Sequence, residues 1–222
     1  HLSIRRQRQM CIRDSHGIAF DVYPYIASST VLKEDSIKLS ERVLITWSKA
    51  RPDLAGRELS DIAEELDCDI FSAAAQLQPA GAVYFAMAEE DVQRILSHPN
   101  AMIGSDGLPH DEHPHPRLWG TFPRVLGHYC RDLKLFSLEE AVRRMTGYSA
   151  ETFGLIDRGI IKPGAFADIT IFDEDTVLDR ATFDKPMTPA AGIDTVLVNG
   201  SIVWESGGAT GRRPGHVLRN GG

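Results

Sequence analysis

The chain has 222 residues, with 24 Lys and Arg against 31 Asp and Glu, and a formal net charge of -7 at pH 7. This acidic balance without a basic stripe argues against nucleic acid as a partner, because phosphate binding needs clustered Lys and Arg. No apolar run approaches about 18 residues and no signal-peptide core is present, so neither a membrane partner nor export is indicated and a cytoplasmic protein is expected. The three cysteines are far apart, which argues against a disulfide framework.

The first fifteen residues differ from everything that follows. They carry four arginines and one acid, and they show neither helical nor alternating periodicity. The run QMCIRDS at residues 9–15 resembles the translation of a transposon-end adapter used in sequencing libraries. Residues 1–15 are therefore predicted to be a fusion scar outside the fold, with a solvated basic tail as the alternative.

From His16 to about residue 105, short apolar runs alternate with helical patterns. Strands are predicted over residues 18–23, 42–47, 81–87 and 101–104, a loop over residues 25–36, and helices from an N-cap at Ser60, over residues 69–78 and over residues 89–97. This alternation predicts an α/β fold with a parallel sheet or barrel.

The last third of the chain changes from helical to β-rich character. Ser137 to Glu140 form a capping box that predicts a helix to about Met145, and Ser149 is a second helix start. After Leu155 come short β-rich pieces, and Asn199-Gly200 between two of them predicts a hairpin. The pattern predicts an α/β part over residues 16–155 and a small β module over residues 156–222.

Two residues near one strand end are the best candidates for chemistry. Asp106 directly follows the apolar strand at residues 101–104, and α/β barrels place catalytic groups at such C-terminal strand ends. A turn-forming Asp is the alternative interpretation. Arg117, on the loop that follows, is suited to a bidentate grip on a carboxylate, with a surface salt bridge as the alternative.

Other polar residues near these positions carry weaker signals. His110, His113 and His115 could suggest a metal site, but Pro114 and Pro116 extend the loop, and the helical spacing that would direct three imidazoles at one ion is missing. A solvated loop, or a role in orienting other site residues, is favoured. Tyr23, Tyr25, Ser28 and Ser29 cluster hydroxyl groups after the first strand, which fits recognition or packing equally well.

Three segments together resemble a known family. They are GSDGLPHDEHPHPRLWG (residues 104–120), DVYPYIASSTVL (residues 21–32) and GIIKPGAFADITIFD (residues 159–173). They are similar to the C-terminal part of the D-aminoacylases, the N-acyl-D-amino-acid deacylases of the amidohydrolase superfamily. The resemblance implies the C-terminal part of a TIM barrel followed by part of a small β-sandwich. It also implies one or two Zn²⁺ ions and hydrolysis of the linear amide of N-acyl-D-amino acids.

The same resemblance implies a role for individual residues. Asp106 matches the family's catalytic acid/base and metal ligand, which takes a proton from the zinc-bound water and passes it to the departing amine. Arg117, Tyr23 and Ser29 match the residues that hold the substrate's free carboxylate. The family's other zinc ligands, an HxH pair, a cysteine and two further histidines, have no counterpart from His16 onward, so the chain alone is expected to be inactive.

Two alternative functions stay open. One is an amidohydrolase acting on cyclic amides, such as a dihydropyrimidinase or hydantoinase, and the other is a catalytically inactive truncated domain. Arg117 with Tyr23 and Ser29 favours a linear small-molecule substrate, because a free carboxylate needs such a clamp. The missing zinc ligands favour the inactive domain for this polypeptide on its own.

Overall fold

The computed structural model describes residues 19–218. The predicted scar at residues 1–15 and the proposed native start at His16 lie outside the described residues. The strands are β1 (Phe20–Val22), β2 (Ala27–Val31), β3 (Arg42–Ser48), β4 (Ala80–Phe85), β5 (Ala101–Ile103), β6 (Ile169–Phe172), β7 (Ile193–Val198), β8 (Ser201–Glu205) and β9 (Gly208–Ala209). The α-helices are α1 (Glu34–Lys38), α2 (Leu59–Glu65), α3 (Ile70–Leu77), α4 (Glu89–Leu96), α5 (Arg117–Arg124), α6 (Leu138–Met145) and α7 (Gly147–Thr152).

The described strands form three sheets, and the expected α/β class is confirmed. β1 and β5 are parallel, with Phe20 opposite Ala101 and Val22 opposite Ile103. A three-stranded antiparallel sheet has the order β2-β4-β3, and a four-stranded antiparallel sheet has the order β6-β7-β8-β9. Because parallel strands end at the same edge, the β1–β5 pair brings the residues after both strands together.

Two parts of the predicted topology are wrong. The expected loop at residues 25–36 contains β2 and α1. β2 has the sequence ASSTV, which lacks an apolar alternation, and it becomes a strand by pairing along its whole length with β4. The expected parallel arrangement also fails for β3 and β4, which are antiparallel. Two helices, α2 and α3, connect them, so the chain reverses once more than in a βαβ unit.

Two buried clusters hold the described chain together. One lies against the β2-β4-β3 sheet, and its members include Ile37, Ile45, Leu59, Ile62, Leu77 and Tyr84. The other joins α4, β5 and α6 to the segment after α5, and it contains Val92, Leu96, Ile103, Val125, Tyr129, Ala141 and Val177. Val177 follows β6, so the C-terminal part of the chain contributes to the core of the α/β part.

The helix ends test the sequence signals directly. Ser137 caps α6 as predicted, with its hydroxyl accepting a hydrogen bond from the Glu140 amide at 3.3 Å. The predicted N-cap at Ser60 is wrong, because α2 begins at Leu59 and Glu58 occupies the cap. Asn199 and Gly200 join β7 to β8 with φ values of 46° and 76°, which confirms the hairpin.

A helical segment after residue 116 was not predicted. α5 begins at Arg117 with Pro116 at its N-cap and contains Pro123, a residue that usually ends or bends a helix. The chain then continues as a π-helix over Val125–Asp132. Because Pro123 lies inside this segment and proline usually ends a helix, the sequence pattern did not predict a helix there. No helix among residues 19–218 is both long and apolar enough to cross a membrane.

A buried arginine on α6, Arg144, gives the first prediction. The Arg144 Nε donates to Glu140 Oε1 at 2.6 Å, and its Nη1 donates to the Leu96 carbonyl oxygen. Hydrogen bonds from Arg143 and then Arg144 lower the pKa of Glu140 from 4.5 to about 2. The stabilisation that this depressed pKa reports is complete above pH 4.5 and disappears as the pH falls toward 2.

The variant Glu140→Gln is therefore expected to lower the free energy of unfolding by about 1–2 kcal/mol at pH 7, because it leaves Arg144 without its counter-ion. Urea unfolding midpoints from pH 7 to pH 2.5 measure this. Glu139→Gln removes the same charge from the same helical turn without touching an arginine, so it is the matched control. A cost for Glu140→Gln that stays constant down to the lowest pH would contradict the assignment.

Candidate functional site

The candidate site lies where the parallel strands β1 and β5 end. Tyr23 follows β1 directly, and Asp106 comes three residues after β5. Asp106 has a φ of 46°, in the left-handed region, so the chain turns sharply there. Both residues line a cavity of about 480 Å³ together with Asp21, Tyr25 and Met87. The strand ends thus deliver a carboxylate and a phenol to one cavity.

Arg117 is the buried cation of this site. Its side chain is 1% exposed, whereas that of Asp106 is 63% exposed, and the Arg117 Nη2 lies 2.8 Å from Asp106 Oδ2. The same Nη2 is 3.5 Å from the carbonyl oxygen of Ser29. Among the described residues, the buried Nε and Nη1 of Arg117 have no hydrogen-bond partner. A buried guanidinium with free donors is a strong binding point for a carboxylate.

The four residues predicted for the site are therefore brought together. The guanidinium carbon of Arg117 lies 4.5 Å from the ring centroid of Tyr23, in cation–π geometry. Burial raises the pKa of Tyr23, against the opposing effect of the Arg117 charge, so the phenol stays protonated at neutral pH and can donate a hydrogen bond. Ser29 contacts Arg117 through its backbone oxygen, and its side chain is half-buried nearby.

The three histidines of the loop between Asp106 and Arg117 have separate surroundings. His110 is exposed, with its Nε2 3.7 Å from Asp111 Oδ1. His113 Nε2 lies 2.6 Å from the carbonyl oxygen of Phe183. His115 is 4% exposed, and both of its ring nitrogens engage backbone groups. The imidazoles therefore do not point at a common ion.

The His, Cys, Asp and Glu side chains near the cavity determine whether the site fits a metal ion. Across residues 19–218, no group of three or more His, Cys, Asp or Glu side chains could hold a metal ion. Asp106 could supply one oxygen ligand, and Asp21 lines the same cavity. These residues do not make a complete zinc site, because structural and catalytic zinc sites use at least three protein ligands.

A second arginine, which no sequence motif indicated, joins the site to the C-terminal part of the chain. Arg124 Nε donates to the Pro24 carbonyl oxygen at 2.9 Å, and its Nη1 lies 3.3 Å from Asp179 Oδ2. Its guanidinium carbon also lies 5.0 Å from the centroid of the Tyr25 ring. Tyr25, predicted only as one of several hydroxyl groups, is buried and lines the cavity beside Asp106.

The chain is similar to known proteins over most of its length. A sequence profile described as the amidohydrolase family matches residues 68–204. The D-aminoacylase of Alcaligenes xylosoxydans xylosoxydans is 56% identical over 201 residues, which are 90% of this chain and 42% of that protein. The N-acyl-D-glutamate deacylase of the same organism is 50% identical over 202 residues, which are 91% of this chain and 41% of that protein.

A solved structure agrees with these relatives. The crystal structure of N-acyl-D-glutamate deacylase from Bordetella bronchiseptica, complexed with zinc and a phosphonate inhibitor, superposes with a TM-score of 0.90 at 49% identity. The match covers 98% of this chain and 46% of that one. The chain thus spans less than half the length of the relatives that it matches.

Proposed function

The chain belongs to the amidohydrolase family, and on that premise we propose that it is the C-terminal part of a zinc-dependent hydrolase of N-acyl-D-amino acids. The reaction cleaves a linear amide to a D-amino acid and a carboxylate. One observation carries this choice: a fully buried Arg117 with two unpartnered nitrogens stands beside the exposed carboxylate of Asp106. The identities of 56% and 50% to deacylases of D-amino-acid derivatives support it.

The proposed architecture follows the same relatives. Residues 16–155 would form the C-terminal part of a TIM barrel, and residues 156–222 part of a small β-sandwich. The parallel β1–β5 pair with functional residues at its C-terminal edge supports the first assignment. The antiparallel β6-β7-β8-β9 sheet supports the second. We expect a cytoplasmic enzyme that acts on a small molecule.

Three residues are proposed to hold the free carboxylate of the substrate. Arg117 supplies the charge and Tyr23 a phenolic donor, while Ser29, on β2, contacts Arg117 through its carbonyl oxygen. Asp106 Oδ2 now accepts from Arg117 Nη2 at 2.8 Å, so this guanidinium already binds one carboxylate oxygen. The Nε and Nη1 donors are buried and have no hydrogen-bond partner among the described residues, so the guanidinium keeps hydrogen-bonding capacity beyond its contact with Asp106.

Asp106 is proposed to move the proton. Its carboxylate accepts a proton from water as the water oxygen bonds to the amide carbonyl carbon, and it returns that proton to the amine nitrogen as the C–N bond breaks. The exposure of its side chain to the cavity supports this role. Zn²⁺, in one or two copies, is proposed as the cofactor because a 49% identical deacylase was solved with zinc. Asp106 would supply one ligand, and no group of three or more His, Cys, Asp or Glu side chains within residues 19–218 completes the set.

Two alternatives remain to be separated from this proposal. A dihydropyrimidinase-like or hydantoinase-like enzyme is disfavoured by Arg117, because dihydrouracil and simple hydantoins have no free carboxylate for a buried guanidinium to bind. A catalytically inactive domain is favoured by the incomplete set of metal ligands among the described residues. The two alternatives predict different substrate profiles, so one assay can separate all three.

The test begins by resequencing the source DNA across residues 15 and 16 to recover the full reading frame. The full-length protein, loaded with zinc, is then assayed on N-acetyl-D-amino acids, their L enantiomers and a hydantoin. We expect hydrolysis of the D compounds, with the L compounds slower by at least tenfold. Hydrolysis of the hydantoin alone would favour the cyclic-amide alternative, and hydrolysis of none of these substrates by the full-length protein would contradict the proposed function. The 222-residue chain, assayed alone on the same substrates, tests the inactive alternative.

A further inference from the structure

His115 is a buried side chain that the proposed reaction leaves without a role. It lies two residues before Arg117, at the end of the loop that begins at Asp106, and it is 4% exposed. Like Arg117 and Ser29, it is not among the residues that line the cavity beside Asp106. Both of its ring nitrogens are occupied by backbone groups, so any effect on the substrate must pass through other residues.

Both ring nitrogens of His115 bind backbone groups, and these groups belong to different elements. The Nδ1 accepts a hydrogen bond from the Arg117 amide at 2.9 Å, at the first residue of α5. The Nε2 lies 3.0 Å from the carbonyl oxygen of Ala27, the first residue of β2. Since a carbonyl can only accept and the Arg117 amide can only donate, the ring must be the Nε2–H tautomer. One imidazole thus connects α5 to β2.

The packing around His115 fixes the plane of the ring. Tyr25 and Phe183 lie edge-on to it, with ring centroids 5.2 Å and 5.0 Å away. Phe183 comes from the segment after β6, and its carbonyl oxygen also contacts His113. These contacts hold the imidazole in the orientation that its two hydrogen bonds need.

The charge state of His115 suits this connection. Burial, together with the nearby Arg117 charge, lowers the pKa of His115 from 6.5 to about 3. The ring therefore stays neutral at physiological pH and keeps one donor and one acceptor. An imidazolium could not accept the hydrogen bond from the Arg117 amide.

We propose that His115 is a positioning residue for the carboxylate-binding site, which sets the distance between Arg117 and the β1–β2 segment that carries Tyr23 and Ser29. This inference rests on the proposed function, because it takes Arg117 to bind the substrate's carboxylate. The two halves of that site are 88 residues apart in sequence, as the Arg117 to Ser29 contact shows. His115 bridges them directly, so its loss displaces the guanidinium without removing it.

The test uses three variants of the full-length zinc-loaded enzyme. His115→Phe keeps a buried ring and removes both hydrogen bonds. His115→Asn keeps an acceptor near the Nδ1 position, and His115→Gln keeps a donor near the Nε2 position. For N-acetyl-D-amino acids we expect His115→Phe to raise KM by about 10- to 100-fold with kcat changed less than about threefold, and the other two variants to recover part of the loss.

A substrate analogue separates positioning from a general loss of structure. When the carboxylate is replaced by a primary amide, His115→Phe is expected to leave KM within about twofold of the wild type, since the displaced guanidinium no longer matters. His110→Phe, at the exposed histidine of the same loop, is the matched control and should leave KM for both substrates unchanged. Equal losses on both substrates, or an unchanged KM in His115→Phe, would overturn the proposal.

A binding measurement distinguishes this failure from a failure of the proposed function. The Kd of an N-acetyl-D-amino acid for the metal-free full-length protein is measured by calorimetry for the wild type and His115→Phe. A Kd raised at least tenfold in the variant supports positioning even if the wild type hydrolyses nothing, in which case only the proposed function falls. An equal Kd in both proteins, or no binding to the wild type, overturns the positioning role.

Discussion

Replacing Asp106 by Asn is expected to lower kcat of the full-length enzyme by about 10²- to 10⁴-fold, with KM for N-acetyl-D-amino acids nearly unchanged. Asn keeps the shape of the side chain and an oxygen that can face the Arg117 Nη2, now 2.8 Å from Asp106. It has no site that can take a proton from water at neutral pH. Steady-state kinetics with metal analysis of each preparation measure this effect.

The control for this substitution is Glu112→Gln, which removes a carboxylate from an exposed position of the same loop. It should leave kcat within about twofold of the wild type. Near-normal turnover in Asp106→Asn with zinc still bound would rule out the proton-transfer role. Complete loss of zinc in Asp106→Asn would instead show that the residue acts chiefly as a ligand.

The second large effect is expected at Arg117. Arg117→Lys keeps the positive charge but loses the planar arrangement of donors, so kcat/KM for N-acetyl-D-amino acids should fall by about 10²- to 10³-fold. The loss should be mainly in KM, and it should be small for the primary-amide analogue, which has no carboxylate. Kinetics with the two substrates side by side test this difference.

Arg94→Lys provides the comparison for Arg117→Lys. Arg94 lies on α4 with its side chain 78% exposed, so the same exchange there alters only a surface ion pair with Asp91. We expect no change in either kinetic constant. An equal loss of kcat/KM on the N-acetyl-D-amino acid and on its primary-amide analogue in Arg117→Lys would contradict carboxylate binding by Arg117. The guanidinium would then have a structural role only.

The sequence was informative where the signal is local. β1 and β5 were predicted from short apolar runs, and the Ser137 cap and the Asn199-Gly200 hairpin from turn chemistry within a few residues. Asp106 was found because a strand end and a glycine flank it. Each of these features depends on neighbours along the chain, which the sequence displays directly.

The sequence was uninformative where distant contacts decide. β2 is a strand because β4 lies beside it, and its own five residues do not require that state. The contact of Phe183 with His115 joins residues far apart in the chain, and the neutral charge of His115 depends on the burial that results. Arg117 was found by its chemistry, but its complete burial could not have been foreseen.

Segment 177–183 limits how this chain can be recombined with its relatives. Val177 belongs to the core around β5, Asp179 pairs with Arg124, and Phe183 packs against His115. A chimaera that exchanged everything after residue 155 would place a foreign segment against these three partners at once. A junction after residue 183 would keep the contacts of Val177, Asp179 and Phe183 that support the Arg117 region. The substrate selectivity of a full-length chimaera should therefore be that of the protein that supplies these residues.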